Sequence, residues 1–176
     1  MEISKLFGLP AHPLIVHIPV VLLPIAAIGA ILMVLSPSWR ERIGWLVVIA
    51  AGVSLLFVQL AIGSGEALQE SVDKSDLVET HAELGEAARP YVAVFFVAVL
   101  AFILYDRSRT RRAEAGDASA AASAERGTWR DPVMAIIAVV VLVSSLLSGI
   151  WVYRAGHSGA KSVWSDVKVS GGEGEG

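Results

Sequence analysis

Four long apolar runs, separated by shorter polar or charged segments, set the pattern of the chain. Residues 14–35 carry one strongly polar side chain, His17, and residues 43–63 only Ser54 and Gln59. Residues 91–105 are apolar throughout, and residues 132–153 hold nothing more polar than Ser144, Ser145 and Ser148. Crossing about 30 Å of hydrocarbon takes roughly 20 helical residues, and a helix is the only open element that satisfies its own backbone there. The pattern predicts an all-α polytopic membrane protein, a four-transmembrane-helix bundle with spans near 14–35, 43–63, 84–105 and 132–153. The third span recruits residues ahead of Pro90. The spans make one domain over residues 1–164, and residues 165–176 read as a disordered Gly/Glu tail.

Basic residues orient the spans. Arg40 and Arg42 lie in the first connection; Arg107, Arg109, Arg111, Arg112, Arg126 and Arg130 lie in the third, residues 106–131. The second connection is acidic, with Glu66, Glu70, Asp73, Asp76, Glu79 and Glu83. The arginine loops are therefore expected in the cytoplasm and both chain ends outside. The first apolar run is too long for a cleavable signal and no small-residue cleavage pattern follows it. Residues 112–126 read as a mobile Ala/Ser/Glu linker. Thr80 and Glu83 have capping-box spacing, which predicts a third helix starting at His81 above the lipid. Residues 65–72 extend the second helix outward in the same way. No internal repeat is evident, although the two hairpins are of similar length.

Composition narrows the function classes. Of 176 residues, 55% are hydrophobic and 18% charged, against about 25% charged in soluble domains. A net charge of −3 excludes nucleic-acid binding through bulk positive charge. The absence of cysteine removes disulfides, thiolate metal sites and cysteine nucleophiles together. No serine has a histidine–carboxylate arrangement beside it, and Gly63-Ser64-Gly65 is too little for a phosphate loop. Among the other polar groups, Gln59 suggests an interhelical hydrogen bond, and Ser144, Ser145, Ser148 and Gly149 a close-packing surface. Arg89 is expected to snorkel or to pair with Glu83 or Glu86. Trp39, Trp45, Trp129, Trp151 and Trp164 read as an aromatic belt.

All four histidines fall at the outer ends of helices. Counting about 1.5 Å per helical residue from the cytoplasmic side places His17 roughly 28 Å up. The same count brings His12, His81 and His157 to roughly 36–37 Å and Glu66 to roughly 35 Å. This suggests a polar layer with one group from each helix, the way bundles commonly build metal and cofactor sites. Imidazole suits zinc, copper and iron, and two histidines also hold a haem iron from both sides. A haem site would pair His17 or His12 with His81 or His157; a metal site would use His12, His81 and His157 with Glu66 completing the shell. Gly85 and Ala88 leave room beside His81. The plainer role of an interfacial histidine is to bond a carbonyl or a lipid headgroup, whereas an ionisable group inside a span, as at His17, is a functional candidate by default.

His12-Pro13-Leu14-Ile15-Val16-His17-Ile18-Pro19 resembles the opening signature of the bacterial membrane proteins grouped as domain of unknown function 2231. Gly63-Ser64-Gly65-Glu66, Thr80-His81-Ala82-Glu83-Leu84-Gly85 and the segment Val152 to Ala160 are similar to its later motifs. The resemblance runs from about His12 to Trp164. It implies a four-helix domain of the bacterial inner membrane whose motif residues gather on the outer side, with His12, His17 and His81 as site positions. It implies no activity. Two function classes follow: a non-enzymatic protein with an outward haem or transition-metal site for electron transfer or metal handling, or an accessory subunit of a membrane complex with no cofactor. The expected partners are the lipid bilayer, a redox or membrane-complex partner and a second copy of the chain, with no nucleic acid. A solute transporter is disfavoured, because no polar groups pair across the midplane.

Overall fold

The computed structural model describes residues 5–6, 9–72, 75–125 and 127–164. A short antiparallel pairing of β1 (Lys5–Leu6) with β2 (Leu9–Pro10) precedes the helices. α1 (Ala11–Leu35), α2 (Pro37–Gln69), α3 (Asp76–Glu114) and α5 (Pro132–Trp164) form the bundle, and the short α4 (Ala118–Glu125) lies against α3. All four long helices are long and apolar enough to cross a membrane. Their outward faces are apolar: Ile28, Leu46 and Leu146 are 60%, 63% and 66% exposed. Only a lipid solvent makes such surfaces inexpensive. The all-α membrane bundle read from the sequence is the fold.

Element ends differ from the expectation in instructive ways. Ser36 alone separates α1 from α2, because Pro37 opens α2 at its first position, where its missing N–H is no loss. α2 runs on to Gln69, as the outward extension required. α3 starts at Asp76 rather than His81: Ser75 caps it, its Oγ accepting from the Val78 amide at 3.3 Å, with Asp76 and Glu79 against the positive helix end. Thr80 and Glu83 thus lie inside the helix. α5 also extends outward, carrying His157 within the helix instead of after it.

The stretch expected as a mobile linker is largely helical. α3 continues to Glu114, and Asp117 caps α4, its Oδ1 accepting from the amides of Ser119 and Ala120 at 2.9 and 3.1 Å. Those bonds, the Ala120 amide first and then Ser119, hold the Asp117 carboxyl below the usual carboxylate range. A depressed folded pKa means the cap is fully present at neutral pH and is lost as pH falls through that value. Amide exchange in α4, corrected for its intrinsic rate, is expected to accelerate on acidification in the native protein and to lose that pH dependence in Asp117→Asn.

The core repeats itself. In α1, Pro19, Leu23, Ala26, Gly29, Ala30, Met33 and Val34 are buried. At one constant offset so are Ala88, Val92, Phe95, Ala98, Val99, Phe102 and Ile103 of α3. Arg40, Gly44, Val47, Ala51, Ser54 and Val58 of α2 are matched in the same way by Met134, Ala138, Val141, Ser145, Ser148 and Val152 of α5. The bundle is therefore two hairpins of equal register, α1–α2 and α3–α5, joined through the α2–α3 and α1–α5 contacts. The repeat escapes a reading of residue types because the matched side chains differ in volume, as in Ala26 against Phe95.

Candidate functional site: a histidine pair at the meeting of two hairpins

His12 and His81 occupy equivalent places in the two hairpins, and their bonding is also equivalent. His12 Nδ1 donates to the Ala61 carbonyl of α2 at 2.8 Å. His81 Nδ1 donates to the Ala155 carbonyl of α5 at 3.0 Å, with Ser158 Oγ at 3.1 Å. Ala61 and Ala155 match under the α2/α5 offset, as do Ser64 and Ser158, and Gly65 and Gly159. Each hairpin thus contains one histidine reaching from its first helix to an Ala-x-x-Ser-Gly turn of its second. A carbonyl oxygen only accepts, so both rings carry a proton on Nδ1, and Nε2 is the ring nitrogen not committed to these carbonyls.

The glycines make the approach possible. A Cβ at Gly65 would stand 3.0 Å from His12 Cε1 and Nδ1, and one at Gly159 would stand 2.9 Å from His81 Cε1. Each ring therefore occupies the space into which a side chain would otherwise project. The two rings then meet each other, edge to face, with centroids 5.8 Å apart and planes at 78°. Equivalent residues of two repeats touch only where the copies themselves meet, so this pair sits between the hairpins.

The other expected members of the layer are elsewhere. His17 is exposed on the outer face of α1 and donates through Nδ1 to Pro13 of its own helix. His157 is exposed and stacked on Tyr153, centroids 5.9 Å apart. Glu66 is also exposed. Among the described residues no three His, Asp or Glu side chains gather closely enough to hold a metal ion, so the His12–His81–His157–Glu66 shell does not form. Height along the bundle was common to these groups; the helix face was not. Gly85 has open space beside it. Among the described residues Gln59 is exposed and bonds no neighbouring helix and Arg89 makes no ion pair, and Trp151 stacks on Tyr91 at 5.2 Å. The serines of α5 are buried as expected, their hydroxyls folded back onto carbonyls of their own helix.

At the opposite, arginine-rich end lies a charged network that the sequence reading missed. Arg40 Nη1 meets Asp106 Oδ1 at 2.7 Å, its Nε donates to the Met33 carbonyl at 3.1 Å, and Nη2 donates to Thr128. Arg109 bridges Asp106 at 3.2 Å and Asp131 at 3.1 Å. Asp131 also accepts from Tyr105 and caps α5 through the Met134 amide at 2.9 Å. Arg40, Arg109 and Asp131 are all buried. The available signal was Asp131 before Pro132, a cap followed by a first-turn proline, and Asp106 three residues ahead of Arg109. Reading every arginine as an orientation charge concealed both.

The family model described as "Predicted membrane protein (DUF2231)" matches residues 8–170. Neither the curated proteins nor the solved structures contain a match to the chain. With nearly the whole length covered and four helices fit to span a bilayer, the chain belongs to the DUF2231 family of membrane proteins.

Proposed function

We propose that the protein is a membrane metal-centre protein in which the Nε2 atoms of His12 and His81 hold a redox-active metal, foremost haem iron, for electron transfer. The observation that carries this reading is the pair itself: two imidazoles in contact, each with its Nδ1 proton committed to a carbonyl. Metal-binding histidines are fixed in this way, since the outer bond sets the tautomer and aims the ring. The two rings lie within reach of one another, their centroids 5.8 Å apart.

The donor count favours haem over a structural ion. Structural zinc takes four protein ligands, whereas haem iron asks the protein only for its axial positions. Haem bound there would supply one-electron chemistry, and His12 and His81 would be the residues that hold its iron. A bare ion on two imidazoles would exchange readily, which suits metal handling. A second reading, an accessory subunit without cofactor, is favoured by one feature. Each imidazole ties the two helices of its hairpin together, and the ring contact ties the hairpins to each other.

Protein purified in detergent without chelator distinguishes these. The proposal expects a Soret band that moves on reduction, with iron equimolar to the chain. Equimolar copper or zinc without that band assigns a bare ion to the pair. Neither band nor metal sinks the metal-centre reading and leaves the clasp.

A further inference from the structure

The second hairpin carries a groove, about 280 Å³ in volume, between the start of α3 and the end of α5. Its polar groups are Arg154, His157, Lys161, Thr80 and Ser158, and no carboxylate lines it. The acidic residues of this part of α3, Asp76, Glu79 and Glu83, are exposed and are not among the residues lining it. Among the described residues the ion pairs all lie at the arginine-rich end, and neither Arg154 nor Lys161 takes part in one. Neighbouring rings hold the donors in place: Arg154 lies over Trp151 at 4.8 Å, and His157 stacks on Tyr153.

The first hairpin is an internal control. Where α5 has Tyr153, Arg154, His157 and Lys161, the matched positions of α2 hold Gln59, Leu60, Gly63 and Ala67. That hairpin closes on its histidine with the same bond and the same glycine contact. Cationic and aromatic side chains are therefore unnecessary for the hairpin to pack, and their presence in one copy needs another reason.

We infer that this groove binds the phosphate headgroup of an anionic phospholipid. Positive charge without a carboxylate selects an anion, and the hydroxyls of Thr80 and Ser158 offer further donors to phosphate oxygens. The apolar wall, Leu77 and Leu84, separates a lipid from a free ion. Below the groove Tyr153, Ile150 and Leu146 form an exposed stripe at helical spacing along α5, 71%, 44% and 66% exposed, along which an acyl chain lies.

Native mass spectrometry of the full-length protein in detergent, challenged with an equal mixture of phosphatidylglycerol and phosphatidylcholine, tests this. The wild type is expected to retain phosphatidylglycerol preferentially. The double variant Arg154→Leu/Lys161→Ala, which installs the first hairpin's own residues, is expected to lower that preference about 30-fold, the weight of two membrane-surface cations. Arg154→Lys/Lys161→Arg keeps the charge and should keep the preference. Single Lys161→Gln should show a partial loss should the double variant fail to fold. No preference in the wild type overturns the inference, as does a preference that survives loss of both cations. Displacement of the lipid by millimolar inorganic phosphate would make this a free-phosphate site and overturn the lipid assignment.

Discussion

Replacing Asp131 with alanine is expected to destabilise the folded bundle by about 3–5 kcal/mol, the range for removing one partner of a buried ion pair. An exposed pair would be worth at most about 1 kcal/mol, so burial decides the size. The Asp131 and Arg109 side chains are only 5% and 8% exposed. The substitution removes the Asp131 carboxylate from Arg109, withdraws the acceptor from Tyr105, and removes the cap at the Met134 amide. A lost cap by itself accounts for about 1 kcal/mol, so the charge dominates. The second hairpin also shows what a neutral solution looks like, since Met134 occupies the place of Arg40. Replacing Arg40 together with Asp106 by apolar residues of similar size should therefore cost far less than Asp131→Ala. Reversible unfolding in mixed micelles, followed by circular dichroism, measures both. A loss under 1 kcal/mol in Asp131→Ala would mean that the network is solvated and carries little of the fold.

Gly159→Ala is expected to displace the His81 ring from its seat, and Gly65→Ala to shift His12 in the same way by less. In an unconstrained helix the change from glycine to alanine is favourable by about 1 kcal/mol. Here the new methyl group would meet His81 at 2.9 Å and His12 at 3.0 Å. Neither contact is tolerated without movement, and the imidazole is the part free to move. Its hydrogen bond then breaks, and the freed carbonyl and ring nitrogen oppose the helical gain, making each variant neutral or destabilised by about 1–2 kcal/mol. On the metal-centre proposal the diagnostic effect is on metal content, which should fall in both variants far more than stability does. An increase in stability of about 1 kcal/mol with metal content unchanged would show that the glycines do not seat the rings.

The four spans were legible because lipid imposes a coarse rule, a run of apolar residues long enough to cross, that no later packing overrides. The outward extension of α2 followed from the same continuity. What the chain did not disclose depends on azimuth. His12, His81 and His157 share a height, but only His12 and His81 share a face turned to the other hairpin, and each does so because a glycine on a distant helix lets it approach. Gly65 and Gly159 are ordinary glycines until their neighbours are known. The duplicated register was hidden for a related reason: burial recurs while volume alternates, Arg40 against Met134 and Ala26 against Phe95. At the other end, Asp106 and Asp131 bracket a polar stretch and looked like loop residues. Their role appears only once α3 and α5 bring them to Arg40 and Arg109. Asp117 was likewise unremarked in a segment whose composition suggested mobility, yet its carboxylate caps α4.

The central claim is that His12 and His81, and not His17 or His157, hold the metal. It is tested most directly by bound haem or metal per chain in the four single His→Ala variants, each purified in parallel with the wild type and checked for an unchanged bundle by circular dichroism. The account predicts near-complete loss in His12→Ala and in His81→Ala, with His17→Ala and His157→Ala retaining the wild-type content. Retention in His12→Ala or His81→Ala, or loss confined to His17→Ala or His157→Ala, would contradict it.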